Sequence, residues 1–305
     1  MLAAMERTIG DALESARSRL SASSTAESDA AELLSRLLGV GRSDLLLRRR
    51  EPLAPELWKQ LDSWLARRAA GQPVQYITGR AAFRSLDLGV GPAVLVPRPE
   101  TEQLVEAVLD VLRDQLAAWP DPRVLDLGTG SGAIALSLAR EWPTAVVTAT
   151  DASEAALDAA RRNADELGLG ERVEFRAGDW FEAVGGDERF EVVVSNPPYI
   201  GTLEAHELPP DVLEHEPALA LFSGDTGLDA LRTIIEEAPR HLVAGGLLAL
   251  ELAEARAREV HGWLEGAHDW SDVDLRHDLA GRPRVLLARR ERGPAIAPAQ
   301  WEEER

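Results

Sequence analysis

The sequence predicts an α/β protein: a largely parallel sheet with helices on both faces, preceded by a smaller helical unit. Two observations lead there. From about residue 100, strand-like apolar runs alternate with helix-length amphipathic segments, a pattern that builds parallel sheets through crossover helices. Before residue 80 only helical spacing is seen. At 305 residues and 45% hydrophobic content the chain can bury a substantial core and has length for two domains.

In residues 1–80, Leu13, Ala16 and Leu20 recur at helical spacing, as do Ala30, Leu33, Leu34, Leu37 and Leu38. Ser28 or Asp29 is placed to cap this second helix and Gly39 to end it. Leu57, Leu61, Trp64 and Leu65 form a further stripe. The short basic run Arg48-Arg49-Arg50 reads first as a solvated helix end. The pattern changes at residues 81–97. Leu86, Leu88 and Val90 alternate with polar or small residues, Gly91-Pro92 marks a turn, and Val94-Leu95-Val96 follows. This predicts a β-hairpin linker.

Residues 98–292 carry the alternation. Strands are expected at Arg123–Leu127, Ala145–Thr150, Val173–Arg176, Phe190–Ser195, Leu247–Leu252 and Val285–Ala288. Helices are expected at Thr101–Trp119, Ala133–Glu141, Glu154–Leu167 and Leu228–His241. Residues 293–305, rich in Pro, Ala and Glu, read as a flexible tail.

Composition narrows the function. With no cysteine, disulfides, thiolate nucleophiles and Cys-based zinc sites are excluded. The six histidines show no metal-ligand spacing, so no metal is expected. The formal net charge of −19 disfavours stable binding to nucleic-acid backbones, and Lys59 is the only lysine. The first residues lack the apolar core of a signal peptide, and no stretch approaches the roughly 20 apolar residues of a membrane span. A cytoplasmic protein, monomeric and without membrane contact, is the expectation.

Two motifs carry chemistry. The first is Gly128-Thr129-Gly130-Ser131-Gly132, directly after a strand and before a helix. Glycine there lets the backbone turn sharply and lets a ligand approach the main chain. Nineteen residues after Gly132, Asp151 ends the second strand, where an acidic side chain suits a pair of ribose hydroxyls. Its alternative role is to cap the next helix. After the third strand, Asp179 is placed to accept an adenine amino group and Trp180 to stack on the ring; a surface loop with a packing Trp is an equal reading. The set suits S-adenosylmethionine better than NAD, because no phosphate clamp is evident.

The second motif is Asn196-Pro197-Pro198-Tyr199, at the end of the fourth strand. An amide or exocyclic amine nitrogen is a poor nucleophile because its lone pair is delocalised. The Asn196 oxygen can accept one N–H and the Pro197 carbonyl the other, aiming the lone pair at a methyl carbon. The prolines stiffen the loop, and Tyr199 can stack on the planar group. Such catalysis works by positioning and needs no metal.

With these motifs in place the chain resembles the HemK or PrmC family of protein-(glutamine-N5) methyltransferases. The resemblance is carried also by Gly71-Gln72-Pro73-Val74-Gln75-Tyr76-Ile77-Thr78-Gly79, Val94-Leu95-Val96-Pro97-Arg98-Pro99-Glu100-Thr101-Glu102, His215-Glu216-Pro217, Gly224-Asp225-Thr226-Gly227-Leu228 and Asp278-Leu279-Ala280-Gly281-Arg282-Pro283-Arg284. It implies a Rossmann-like class I sheet that uses S-adenosylmethionine. It implies that Gly128 to Gly132, Asp151, Trp180 and Asn196 line the cofactor and that Asn196 to Tyr199 hold a substrate glutamine. The implied substrates are class I peptide chain release factors, modified at the Gly-Gly-Gln motif and gripped by the N-terminal helical domain. One departure is Leu252-Ala253-Glu254, where a glycine-containing turn is expected. A glutamine methyltransferase of a large-subunit ribosomal protein shares the tetrapeptide. An adenine-N6 DNA methyltransferase and a noncatalytic cofactor-binding module fit less well.

Overall fold

The computed structural model describes residues 7–278 and 280–291; the expected tail at 293–305 lies outside them. The first part is helical: Ile9–Arg19, Ala26–Leu38, Arg42–Leu47, Pro55–Ala69 and Val74–Thr78. Their apolar stripes close on one another around Leu13, Leu33, Leu34, Leu61 and Leu65. Gly39 ends the second helix in the left-handed conformation, φ 63°. That helix starts earlier than expected, at Ala26, so Ser28 and Asp29 lie inside its first turn and do not cap it.

A hairpin follows, β1 (Arg80–Phe83) against β2 (Leu86–Gly89). It differs from the expected one. The turn is at Arg84-Ser85, with Arg84 at φ 49°, and Val94–Val96 is a loop with no strand partner. A two-residue hairpin turn usually shows itself as Asn-Gly or Asp-Gly. Here a charged side chain holds the strained position. Arg84 donates its backbone N–H to Glu102 at 2.8 Å, and its guanidinium pairs with Glu141 and Glu106 at 2.6 and 2.7 Å.

The remaining strands are β3 (Arg123–Leu127), β4 (Val146–Asp151), β5 (Val173–Ala177), β6 (Phe190–Ser195), β7 (Leu242–Glu251), β8 (Trp270–His277) and β9 (Pro283–Arg290). They form one seven-stranded sheet in the order β5-β4-β3-β6-β7-β9-β8. The first five are mutually parallel; β9 and β8 join antiparallel. Alternate residues feed the two faces. Val124, Val192 and Val194 pack under helices Pro99–Asp114 and Ala133–Glu141 together with the hairpin. Leu125, Leu127, Val193 and Leu250 pack under Asp229–His241 and Glu254–Glu265. Because both faces are covered, these strands read as unbroken apolar runs. Helix Pro99–Asp114 stops short of the expected Trp119, in a turn at residues 115–118.

The order reverses between β3 and β6. Chain leaving β3 crosses to β4 and β5 on one side, and β6 and β7 fill the other. Such a switch opens a crevice at the carboxyl ends of the strands.

Candidate active site

A cavity of about 350 Å³ occupies that crevice. Its floor is the turn after β3. Gly128, Gly130 and Gly132 have φ of 70°, 57° and 83°, a region that L side chains rarely adopt. The turn is bound to β4: the Gly128 and Thr129 N–H groups both donate to the Thr150 carbonyl at 2.9 Å. Beneath it Asp126 is fully buried. It accepts the Thr129 hydroxyl at 2.7 Å and the Ala135 N–H at 3.2 Å, and its Oδ1 has no partner. Burial pushes its carboxyl up to about 7 against the pull of those two donors.

Asp151 stands at the tip of β4, facing the cavity. Its Oδ2 accepts the Gly130 N–H at 2.9 Å and its Oδ1 the Ser153 N–H at 2.8 Å. Ser153, not Asp151, caps the helix that follows, accepting the Ala156 N–H at 3.2 Å. Each Asp151 oxygen keeps a lone pair for a hydroxyl in the cavity. Burial raises its pKa, opposed by the two backbone donors.

Trp180 and Asp179 line the cavity beyond β5. Trp180 has φ 44°, and its ring lies 3.6 Å from where a Cβ on Gly128 would sit. The indole therefore stands beside the glycine turn and narrows the cavity there. Gly128, Thr129, Gly130 and Ser131 also line it. Gly132 does not. A Cβ there would come within 2.9 Å of Leu136, so this glycine permits close packing at the helix start.

At the end of β6, Asn196 and Pro198 line the cavity. Pro197 is buried, and Tyr199 is half-buried with its hydroxyl turned inward to Glu251 at 3.3 Å. Asn196 donates its Nδ2–H to the Thr101 hydroxyl at 3.0 Å, and its Oδ1 has no protein partner among the described residues. Glu251, at the tip of β7, is 1% exposed; burial pushes its carboxyl up to about 7, its Oε1 accepts the Tyr199 hydroxyl, and its Oε2 has no partner among the described residues.

Several residues that build this site have no individual role in the sequence motifs. Thr101 and Glu251 brace the tetrapeptide. The loop Val94–Arg98 forms a wall, held at Val94 by the Tyr76 hydroxyl and at Arg98 by Glu216, 2.6 Å away and buried. Asn163 ties β2 to the glycine turn: it accepts the Gly89 N–H at 2.6 Å and donates to the Gly89 and Ser131 carbonyls at 3.0 and 2.8 Å. Only Glu251 carried a local signal, an acid ending the apolar run Leu247–Leu250. Among the described residues no cluster of His, Asp and Glu is arranged for a metal, and no helix is long and apolar enough to cross a membrane.

Comparison with known proteins agrees with this architecture. Residues 11–79 match the model of the PrmC N-terminal domain, and residues 103–212 that of the methyltransferase small domain. A release factor glutamine methyltransferase of Cereibacter sphaeroides is 44% identical over 92% of this chain and 97% of its own length. One from Xylella fastidiosa is 47% identical over 86% of this chain and 92% of its own. One from Streptomyces coelicolor is 42% identical over 86% and 90%. Among solved structures, the hMettl16 catalytic domain in complex with MAT2A 3'UTR hairpin 1 superposes with a TM-score of 0.54 at 17% identity, covering 77% of this chain and 82% of that one. That likeness concerns the fold.

Proposed function

This chain belongs to the release factor glutamine methyltransferase family, and from that premise we propose that it methylates the side-chain amide nitrogen (N5) of the glutamine in the Gly-Gly-Gln motif of class I peptide chain release factors. The methyl donor is S-adenosylmethionine, which when bound supplies an electrophilic methyl group on a sulfonium. The residues present fit it. Asp151 offers carboxylate lone pairs for a ribose, the glycine turn leaves the main chain open, and the Trp180 indole offers a face for a flat ring. Asp179 is in reach of the same end of the cavity.

One observation carries the reading. Asn196 has its NH₂ committed to Thr101, which leaves its carbonyl oxygen for an incoming N–H. An amide nitrogen becomes nucleophilic only when its lone pair is turned out of conjugation. Asn196 Oδ1 and the Pro197 carbonyl fix the two N–H directions, and Pro198 and Tyr199 confine the planar group. No strong base enters, since the proton becomes acidic only as nitrogen gains charge.

The N-terminal helical domain grips the release factor in this reading. The chain acts as a cytoplasmic monomer on a protein, and its charge of −19 keeps nucleic acid away.

The test is single-turnover methylation of an intact release factor with labelled S-adenosylmethionine, the methyl located by mass spectrometry. The expected site is the motif glutamine, and a Gln→Ala release factor is the blank. Asn196→Ala should cut the rate by about 10²- to 10³-fold with the fold intact. Label on the blank, or on a large-subunit ribosomal protein instead, would sink the substrate assignment.

A further inference from the structure

Glu251 closes β7 in a setting that gives its carboxylate little. The four residues before it, Leu247 to Leu250, are apolar and buried, and Glu251 itself is 1% exposed. Its Oε1 accepts the Tyr199 hydroxyl at 3.3 Å, and its Oε2 has no partner among the described residues. A buried carboxylate with one long hydrogen bond is retained at a cost, and an apolar side chain of similar size is often neutral or stabilising in such a place. Stability therefore does not account for this residue.

The Tyr199 hydroxyl poses the matching question. A phenylalanine ring offers the same kind of flat face to a planar group. What tyrosine adds is one O–H, and here it is spent on a residue that does not line the cavity. The main chain around Tyr199 is already fixed. Pro198 precedes it, and the Ile200 N–H donates to the Leu221 carbonyl at 3.2 Å. Gly227, at φ 75°, lies so close that a Cβ there would collide with the Tyr199 carbonyl oxygen. Only the side-chain torsions are left to set, and the bond to Glu251 pins the far end of the ring.

We propose that Glu251 is a positioning group which, through the Tyr199 hydroxyl, presets the angle of the ring that flanks the substrate amide. The pair explains both choices: a tyrosine where a phenylalanine would stack, and a carboxylate where a leucine would pack. The freedom of the ring is then spent on folding and not when the glutamine arrives. This rests on the proposed role of Asn196 to Tyr199 in holding the amide.

The experiment uses the full chain and an intact release factor in single turnover, with urea denaturation of each variant. Tyr199→Phe and Glu251→Leu each remove one side of the bond. Each should lower the rate by roughly three- to tenfold, and the double variant by no more than the larger single loss. The double variant leaves neither group unpaired, so it should resist urea at least as well as wild type while remaining slow. Glu251→Gln keeps an acceptor and should recover most of the rate. S-adenosylmethionine affinity by calorimetry should stay within about threefold throughout. A second readout needs no turnover. The chain has two tyrosines, Tyr76 and Tyr199, so ring-labelled protein gives two Cζ signals by NMR. Glu251→Leu should move the Tyr199 signal and leave that of Tyr76 in place. Four results would overturn the proposal: a double variant at the wild-type rate, single losses that multiply in the double variant, a loss of rate matched by a loss of urea resistance in the double variant, or an unmoved Tyr199 signal in Glu251→Leu. The double variant decides even if a single one does not fold. If wild type leaves the release-factor glutamine unmethylated, the substrate reading falls first and takes this one with it; unaffected variants of an active wild type remove this one alone.

Discussion

Asp151→Asn separates charge from shape at the cofactor end of the cavity. The two carboxylate oxygens already accept N–H groups from Gly130 and Ser153, at 2.9 and 2.8 Å. An amide of the same shape has one oxygen and one NH₂. Whichever way it turns, one backbone N–H faces another donor, which costs about 1–3 kcal/mol of stability. The effect on the cofactor is a separate quantity. Hydrogen bonds to a charged acceptor contribute about 1.5–3 kcal/mol and those to a neutral one about 0.5–1.5 kcal/mol. Asp151→Asn should therefore weaken S-adenosylmethionine by about 1–1.5 kcal/mol, roughly tenfold. Asp151→Ala loses the whole contribution, roughly ten- to a hundredfold. Calorimetry gives the affinities, and urea denaturation gives the folded fraction of each variant. The order wild type, Asn, Ala is the expected one. A folded Asp151→Ala that binds as wild type does would reduce Asp151 to a tie between the glycine turn and β4.

Asn163→Ala should destabilise the chain by roughly 3 kcal/mol, since it strands an N–H and two carbonyls in a site where Asn163 is 2% exposed. Asn163→Asp should be worse, because it aims a carboxylate at the Gly89 and Ser131 carbonyls; a urea midpoint equal to wild type would contradict both. Asp126 titrates at about 7 in the fold and near 4 when unfolded. Between those values the fold holds the extra proton, so this group makes stability fall as pH rises, by roughly 4 kcal/mol. Asp126→Asn should remove that slope in denaturation curves taken from pH 4 to 8, and an unchanged slope would mean the carboxyl titrates elsewhere.

The parts of this molecule legible in the sequence are those written locally. The strands β3 to β6 are short apolar runs, and the glycine turn and Asn196-Pro197-Pro198-Tyr199 lie where such runs end. The contacts that brace the site are not local. Thr101 stands on a helix 95 residues before Asn196, and Asn163 reaches Gly89 across 74 residues. No spacing rule links such positions; only the folded sheet does. The hairpin turn at Arg84-Ser85 was hidden for another reason. Three glutamates from two helices hold a conformation that its own residues do not favour. Gly132 shows the converse, a motif residue that stands off the cavity and against Leu136 at the helix start.

The wall Val94–Arg98 has a mechanical consequence. One end hangs from Tyr76 of the helical part, the other from Glu216 of the segment after β6. That segment also meets the helical part directly, through Asp211 opposite Arg68 and His215 against Gly71. The helical part therefore holds both ends of the cavity wall, Val94 directly and Arg98 through the segment that carries Glu216. The shape of the crevice at the strand ends is thus set in part by packing that lies outside the sheet.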